Sequence, residues 1–328
     1  MSKFMKPGLQ ALAVMDSKAP FHPSNLLADG MSLEEIAEKK DLNFHIAASP
    51  SLMVGSDGLL RQVAGSKTLY REDTMEALSI VGADYKPVQP AAVLETFNGY
   101  MDLAGFQMRA AGSLLGGKRI WAMAETGSEF ILPGGDQLAG YLFLATACDG
   151  KMATTGFFTT LRASCWNMLQ AMIADANGHR QFIKVPHSGE FDPEKFRAEL
   201  QLGPTSFNAF ADEATVLAGR KVNDQEAVAY ITRVLGTWDD EKTALENITA
   251  QADARNIGKV LELFKGAGAG ADLKSANGTA WGLVNSVTEF ADHHRGARSA
   301  DNRFNNAMLG NSFNMKSLAW GEALKLAA

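Results

Sequence analysis

Apolar positions along the chain change their period more than once, and each change predicts a structural boundary. Residues 1–30 show little periodicity and contain Ala19-Pro20-Phe21-His22-Pro23, which predicts an extended arm that is ordered only where something receives it. Ser32 followed by Glu35 has the spacing of a capping box, so SLEEIAEKK reads as a short helix. From Asp41 the period drops to two, with Leu42, Phe44 and Ile46 alternating as in a half-buried strand.

Strand-like runs follow at 67–71 and 78–88, and Pro90 then opens a helix running to about Ala104, its missing N–H costing nothing in the first turn. Two hairpins come next. FQMRAAGSLL and KRIWAMAE flank Gly116-Gly117, and GYLFLATAC and KMATTGFFTT flank Asp149-Gly150, dipeptides that accept the positive φ of a primed turn. Leu161, Cys165, Met168, Leu169 and Met172 then recur at helical intervals, which predicts a helix packed directly on the sheet. Gly178 ends it, and residues 181–185 read as a returning strand. Beyond Asp192-Pro193 the strand pattern stops, and 193–218, 224–236, 241–264, 276–295 and 312–327 read as helices.

These elements predict an α+β fold: an antiparallel, hairpin-rich sheet with packed helices, followed by an all-helical C-terminal region. At 328 residues the chain exceeds the ~250–300 residues of one hydrophobic core. The expected division is an N-terminal arm and short helix (1–40), an α+β core (41–190) and a helical region (191–328). Strands 106–115 and 137–156 carry apolar residues on both alternating faces, more than one sheet face buries, and the excess predicts self-association.

Composition narrows the classes. Hydrophobic residues at 46% and charged residues at 21% place the chain among folded globular proteins. Its two cysteines, Cys148 and Cys165, are too few for a disulfide framework and lack zinc-ligand spacing, so both are expected reduced and buried. No signal peptide and no spanning helix is read from the sequence, which predicts a protein of the bacterial cytoplasm without membrane partners. A net charge of −6 argues against an unspecific polycation. That charge is polarised, with fourteen acids against nine bases in 190–265 but five bases against two acids in 293–328.

No stretch carries a catalytic signature. GAGAGAD at 266–272 follows a helix rather than a strand, so it reads as a linker and not a phosphate cradle, and Gly116-Gly117-Lys118 lacks Walker spacing. His293 and His294 beside Asp292 have no third ligand spaced to converge, and they suit a helix C-terminus. Cys165 has no identifiable base and reads as a core thiol. Neither enzyme chemistry nor a cofactor or metal is expected. Basic and aromatic residues do interleave at Arg109, Lys118, Arg119 and Trp121, with Lys151 and Arg162 in the neighbouring elements. On one exposed face they would bind phosphates and stack bases, whereas in a core Trp121 would only fill space.

Further residues carry a resemblance: YKPVQ (85–89), GGKRIW (116–121), Asp149-Gly150, Arg162-x-x-Cys165-x-Asn167, WGLVNSVTEFADHHR (281–295), RSADNRF (298–304) and AMLG (307–310). In order and spacing the chain resembles, over roughly residues 40–328, the phage/plasmid-like family of unknown function. Residues 1–30 depart from that pattern, lacking its short opening Trp-His-Gly segment. The resemblance implies a protein of mobile elements, found in the company of replication and recombination genes. The paired hairpins followed by a helix are also similar to the core of single-strand annealing proteins. The leading expectation is therefore an oligomeric single-stranded-DNA-binding or annealing protein without an active site. Arg109, Lys118, Arg119, Lys151 and Arg162 would hold phosphates, Trp121 would stack, and Arg295, Arg298, Arg303 and Lys316 would add contacts or join subunits. The alternative is a virion-associated or host-interaction protein that uses its acidic helices and binds no nucleic acid.

Overall fold

The computed structural model of the chain describes residues 27–28, 30–104, 106–162, 168–169, 182–199, 203–236 and 251–328. Ser32 caps helix α1 (Leu33–Lys39) as its spacing predicts: Glu35 N–H donates to its hydroxyl at 3.2 Å, and the Glu35 carboxylate accepts from Ser32 N–H at 2.9 Å. Leu42, Phe44 and Ile46 are all buried, although strand pairing begins only at Ile46.

A small antiparallel sheet follows, of β1 (Ile46–Val54), β2 (Leu60–Arg71) and β3 (Ala77–Gly82), in that order. The strand expected over 78–88 thus ends at Gly82. Helix α2 (Pro90–Ala104) has the expected bounds. It leads into a large antiparallel sheet whose strands β4 (Gln107–Leu114), β5 (Arg119–Ile131), β6 (Gln137–Ala147) and β7 (Thr154–Arg162) lie side by side in chain order. Both expected hairpins are present, joining β4 to β5 and β6 to β7.

The helix expected from Leu161 to Met172 is not what the described residues show. Leu161 and Arg162 end β7, and Met168–Leu169 form a short strand β8 that pairs back on it, Leu161 opposite Met168. A short apolar run fits either period, and here the open edge of β7 takes it as a strand. Cys165 and Met172 lie outside the described residues. Strand β9 (Phe182–Val185), which also pairs with β7, is where the sequence places it.

Helices α3 (Pro193–Glu199), α4 (Gly203–Gly219), α5 (Asp224–Gly236), α6 (Gln251–Glu262), α7 (Ala280–Glu289), α8 (Ala300–Leu309) and α9 (Asn311–Ala327) make up the rest, with π-helical turns at Leu263–Ala267 and Phe290–His294. Every residue of α7 is buried, so it is the axis of the helical cluster rather than an amphipathic surface helix. Among the described residues no helix is long and apolar enough to cross a membrane.

The large sheet is covered on both faces. On one, Ile120, Ala122, Leu142 and Leu144 pack with Val93, Leu94 and Phe97 of α2 and with the small sheet. On the other, Trp121, Met123, Phe143 and Phe157 pack with Phe304 of α8 and Phe313 of α9. The second apolar face, from which self-association was expected, is therefore buried by the chain's own C-terminal helices. These strands need no neighbour.

The β6–β7 turn depends on one glycine. Asp149 Oδ1 accepts from Lys151 N–H at 3.0 Å, and Gly150 between them has φ +70°. Gly150→Val would put a β-branched residue in the left-handed region and is expected to lower stability by roughly 1–3 kcal/mol. Thermal denaturation checks this, and an unchanged melting temperature would contradict the turn geometry.

Candidate functional site

Most of the bases that the sequence offers for phosphate are engaged inside the molecule. Arg109 is buried, with Nε donating to Glu125 Oε2 at 2.7 Å and Nη2 to Gln107 Oε1 at 2.6 Å. Arg119 donates to Asn305 Oδ1 of α8 and lies 3.5 Å from the Asp149 carboxylate. Lys316 is buried against Asp292, Nζ to Oδ1 2.8 Å. Arg303 caps the end of the α7 region, donating to the carbonyls of His293 at 3.1 Å and Arg295 at 3.0 Å, where a cation also suits the helix dipole. Arg295 reaches Ser312 Oγ at 3.4 Å.

Trp121 is fully buried, 4.3 Å from the Phe304 ring and 6.1 Å from Phe143, so it offers no face to a base. Its place in the middle of an apolar β5 decides this. Cys148 is also buried, and burial pushes its thiol up to about 12, which removes it as a nucleophile at neutral pH.

Arg162 is the most deeply committed. Nε donates to Asp136 Oδ2 at 2.6 Å, with the two side chains 1% and 0% exposed. Nη1 and Nη2 each donate at 3.0 Å, to the carbonyls of Ala269 and Gly270. Trp281 Nε1 donates to the same Asp136 oxygen at 2.8 Å. The glycine-rich segment is thus more than a linker, because its carbonyls approach the guanidinium directly. Gly268 beside them has no room for a side chain, since an added Cβ would lie 2.8 Å from Leu263 O.

Three of the expected cations reach solvent without being engaged in this way: Lys118 is half-buried, and Lys151 and Arg298 are exposed. None of the three is in an ion pair among the described residues. They gather at one end of the large sheet. Arg119 pairs with Ala147, which sets the β4–β5 turn carrying Lys118 beside the β6–β7 turn carrying Lys151. Asp301 Oδ2 accepts from Leu115 N–H at 2.7 Å, which seats the start of α8, just after Arg298, on the β4–β5 turn.

A cleft of about 640 Å³ opens next to this end, lined by Gly65, Gly82–Tyr85, Gly150–Ala153 and Pro186–Ser188. In it the rings of Tyr85 and His187 stack at 4.6 Å and 18°. Both are held by main chain: Tyr85 Oη donates to Ala147 O at 2.6 Å, and His187 Nδ1 lies 2.9 Å from Lys86 O. Burial is the main cause that lowers the His187 pKa, so the imidazole is neutral at pH 7. Tyr85 falls within YKPVQ, but nothing in the sequence gives it a role or singles out His187, because only the fold brings the two together.

The buried pair yields a prediction. Asp136→Asn would leave the Arg162 charge without its counter-ion and is expected to cost about 3–5 kcal/mol, whereas Asp136→Leu with Arg162→Met should cost much less. Chemical denaturation of both variants checks this, and equal losses would contradict it.

No curated protein and no solved structure matches the chain. The domain of unknown function DUF932 matches residues 77–309, from β3 through the sheet and the buried α7 to the end of α8, and the chain belongs to that family.

Proposed function

We propose that this is a phage- or plasmid-encoded protein of the bacterial cytoplasm that binds single-stranded DNA as an assembly of its own copies, without catalysing a reaction, during replication or recombination. The observation that carries the reading is the unpaired cationic end of the large sheet, Lys118, Lys151 and Arg298. Asp149 is paired with Arg119, which leaves Asp84 and Asp301 against Lys118, Lys151 and Arg298, so the local balance at this end is positive and favours phosphate despite a net charge of −6. Annealing needs only screened phosphates and accessible bases, which accords with a site built from turns and no nucleophile.

Self-association rests on a different feature from the one the sequence suggested. The β1–β2 hairpin runs past β3, which pairs only with Ser66–Tyr70, and its register breaks between Pro50 and Leu52 where it leaves the sheet. On one side of this projecting arm Leu52, Val54 and Leu60 are 59%, 67% and 68% exposed. An apolar side with no third strand beside it calls for a neighbour, and we assign a second copy.

The same arm favours the second reading, a virion-associated or host-interaction protein in which it grips another protein and no nucleic acid is bound.

Two measurements separate these. Fluorescence anisotropy with an oligo(dT) should show binding at low salt, and changing Lys118, Lys151 and Arg298 together to Gln should flatten the log–log salt slope by about 2, or ~0.7 per lost phosphate contact, with an unchanged melting temperature. A wild-type chain that fails to bind at low salt would leave only the second reading. Light scattering should find an oligomer that Leu52→Glu with Leu60→Glu reduces to monomer, and a wild-type monomer at micromolar concentration would remove the assembly.

A further inference from the structure

The cleft beside the cationic end has the make-up of a receptor for one flat ring carrying a nearby anion. Its volume of about 640 Å³ lies within the ~300–1,000 Å³ of small-molecule sites. Much of its wall is Gly65, Gly82, Ala83, Gly150 and Ala153, residues too small to keep a planar group from the main chain. The aromatic part is rigid before anything binds, because both Tyr85 and His187 are tied to backbone carbonyls and to each other. Little rotamer entropy would be lost when a ring meets this pair.

Charge is confined to the rim. The exposed side chains of Lys151 and Asp84 stand there with the hydroxyl-bearing Ser188, while the imidazole between them is uncharged. A cation for an anion, a carboxylate for a ring or exocyclic N–H, one of which every base carries, and an uncharged aromatic platform together match a nucleotide. Lys151 belongs both to the cleft and to the cationic end, so a strand whose phosphates follow Lys118, Lys151 and Arg298 passes the mouth of the cleft.

We infer that this cleft receives one base of the bound single strand, placed against the half-buried ring of Tyr85, which buried His187 backs by stacking, with its phosphate at Lys151. This rests on the single-strand reading above. Stacking against a fixed pair requires only a π face, so the site accepts any base and adds affinity without sequence preference. It supplies the stacking function that buried Trp121 does not.

The test fills the cleft without touching a charge. A Cβ built on Gly82 meets nothing within 4 Å, and Gly82 is not in the left-handed region, so Gly82→Trp can be carried without backbone strain. Ser188→Trp fills it from the opposite wall and guards against a folding defect in the first variant. With melting temperatures held, both variants are expected to lose roughly 5- to 100-fold in oligo(dT) affinity while the salt slope stays that of the wild type, because no phosphate contact is removed. An oligonucleotide carrying 5-iodouracil should cross-link to Tyr85, Met152 or His187. Wild-type affinity in both tryptophan variants, with no cross-link in the cleft, would overturn the base site and leave the phosphate end standing. Failure of the wild type to bind any oligonucleotide would instead remove the reading on which it rests.

Discussion

The buried contact between Arg162 and Asp136 joins the two halves of this protein. A guanidinium at the end of β7 meets a carboxylate in the β5–β6 turn, and neither reaches water. Such a pair is tolerated only if its remaining donors and acceptors are satisfied. Here the carbonyls of Ala269 and Gly270 and the Trp281 indole supply that satisfaction, and all three come from the helical region. The helical region thus supplies three of the bonds that this sheet ion pair needs, and that requirement holds the helices in register with the sheet.

The rest of the architecture follows from that attachment. With α7 anchored at Trp281, the segment after it returns over the second face of the sheet, where Phe304 and Phe313 cover Trp121 and Phe157. Arg303 and Lys316, which a charge count would place on a binding surface, close the end of α7 and neutralise buried Asp292. Most of the bases that the sequence offered for phosphate instead satisfy carbonyls, carboxylates and amides of the chain itself. Those at the turns are what remains for a ligand.

Local chemistry was legible in the sequence, and long-range partnership was not. Glycine turns and alternation located β4 to β7, the capping box located α1, and Pro90 located the start of α2, because each depends on neighbours within a few residues. Register would have carried the reading one step further. A turn at Asp149-Gly150 sets Arg162 opposite Leu138, two residues from Asp136, and the β4–β5 turn sets Glu125 opposite Gln107, within reach of Arg109. Nothing local announces that Trp281 approaches the same carboxylate from 145 positions away. The Tyr85–His187 platform was hidden for the same reason, since its rings come from segments on either side of the entire large sheet.

Amide hydrogen exchange with and without a saturating oligo(dT) tests the central claim directly, because it reports where a strand lies without altering any residue. Binding at the cationic end and its cleft predicts slowed exchange in 82–86, 115–118, 149–153 and 186–188, with the β1–β2 arm unchanged by DNA at constant oligomeric state. Protection confined to the arm, or absent from all four segments while the strand is bound, would contradict it.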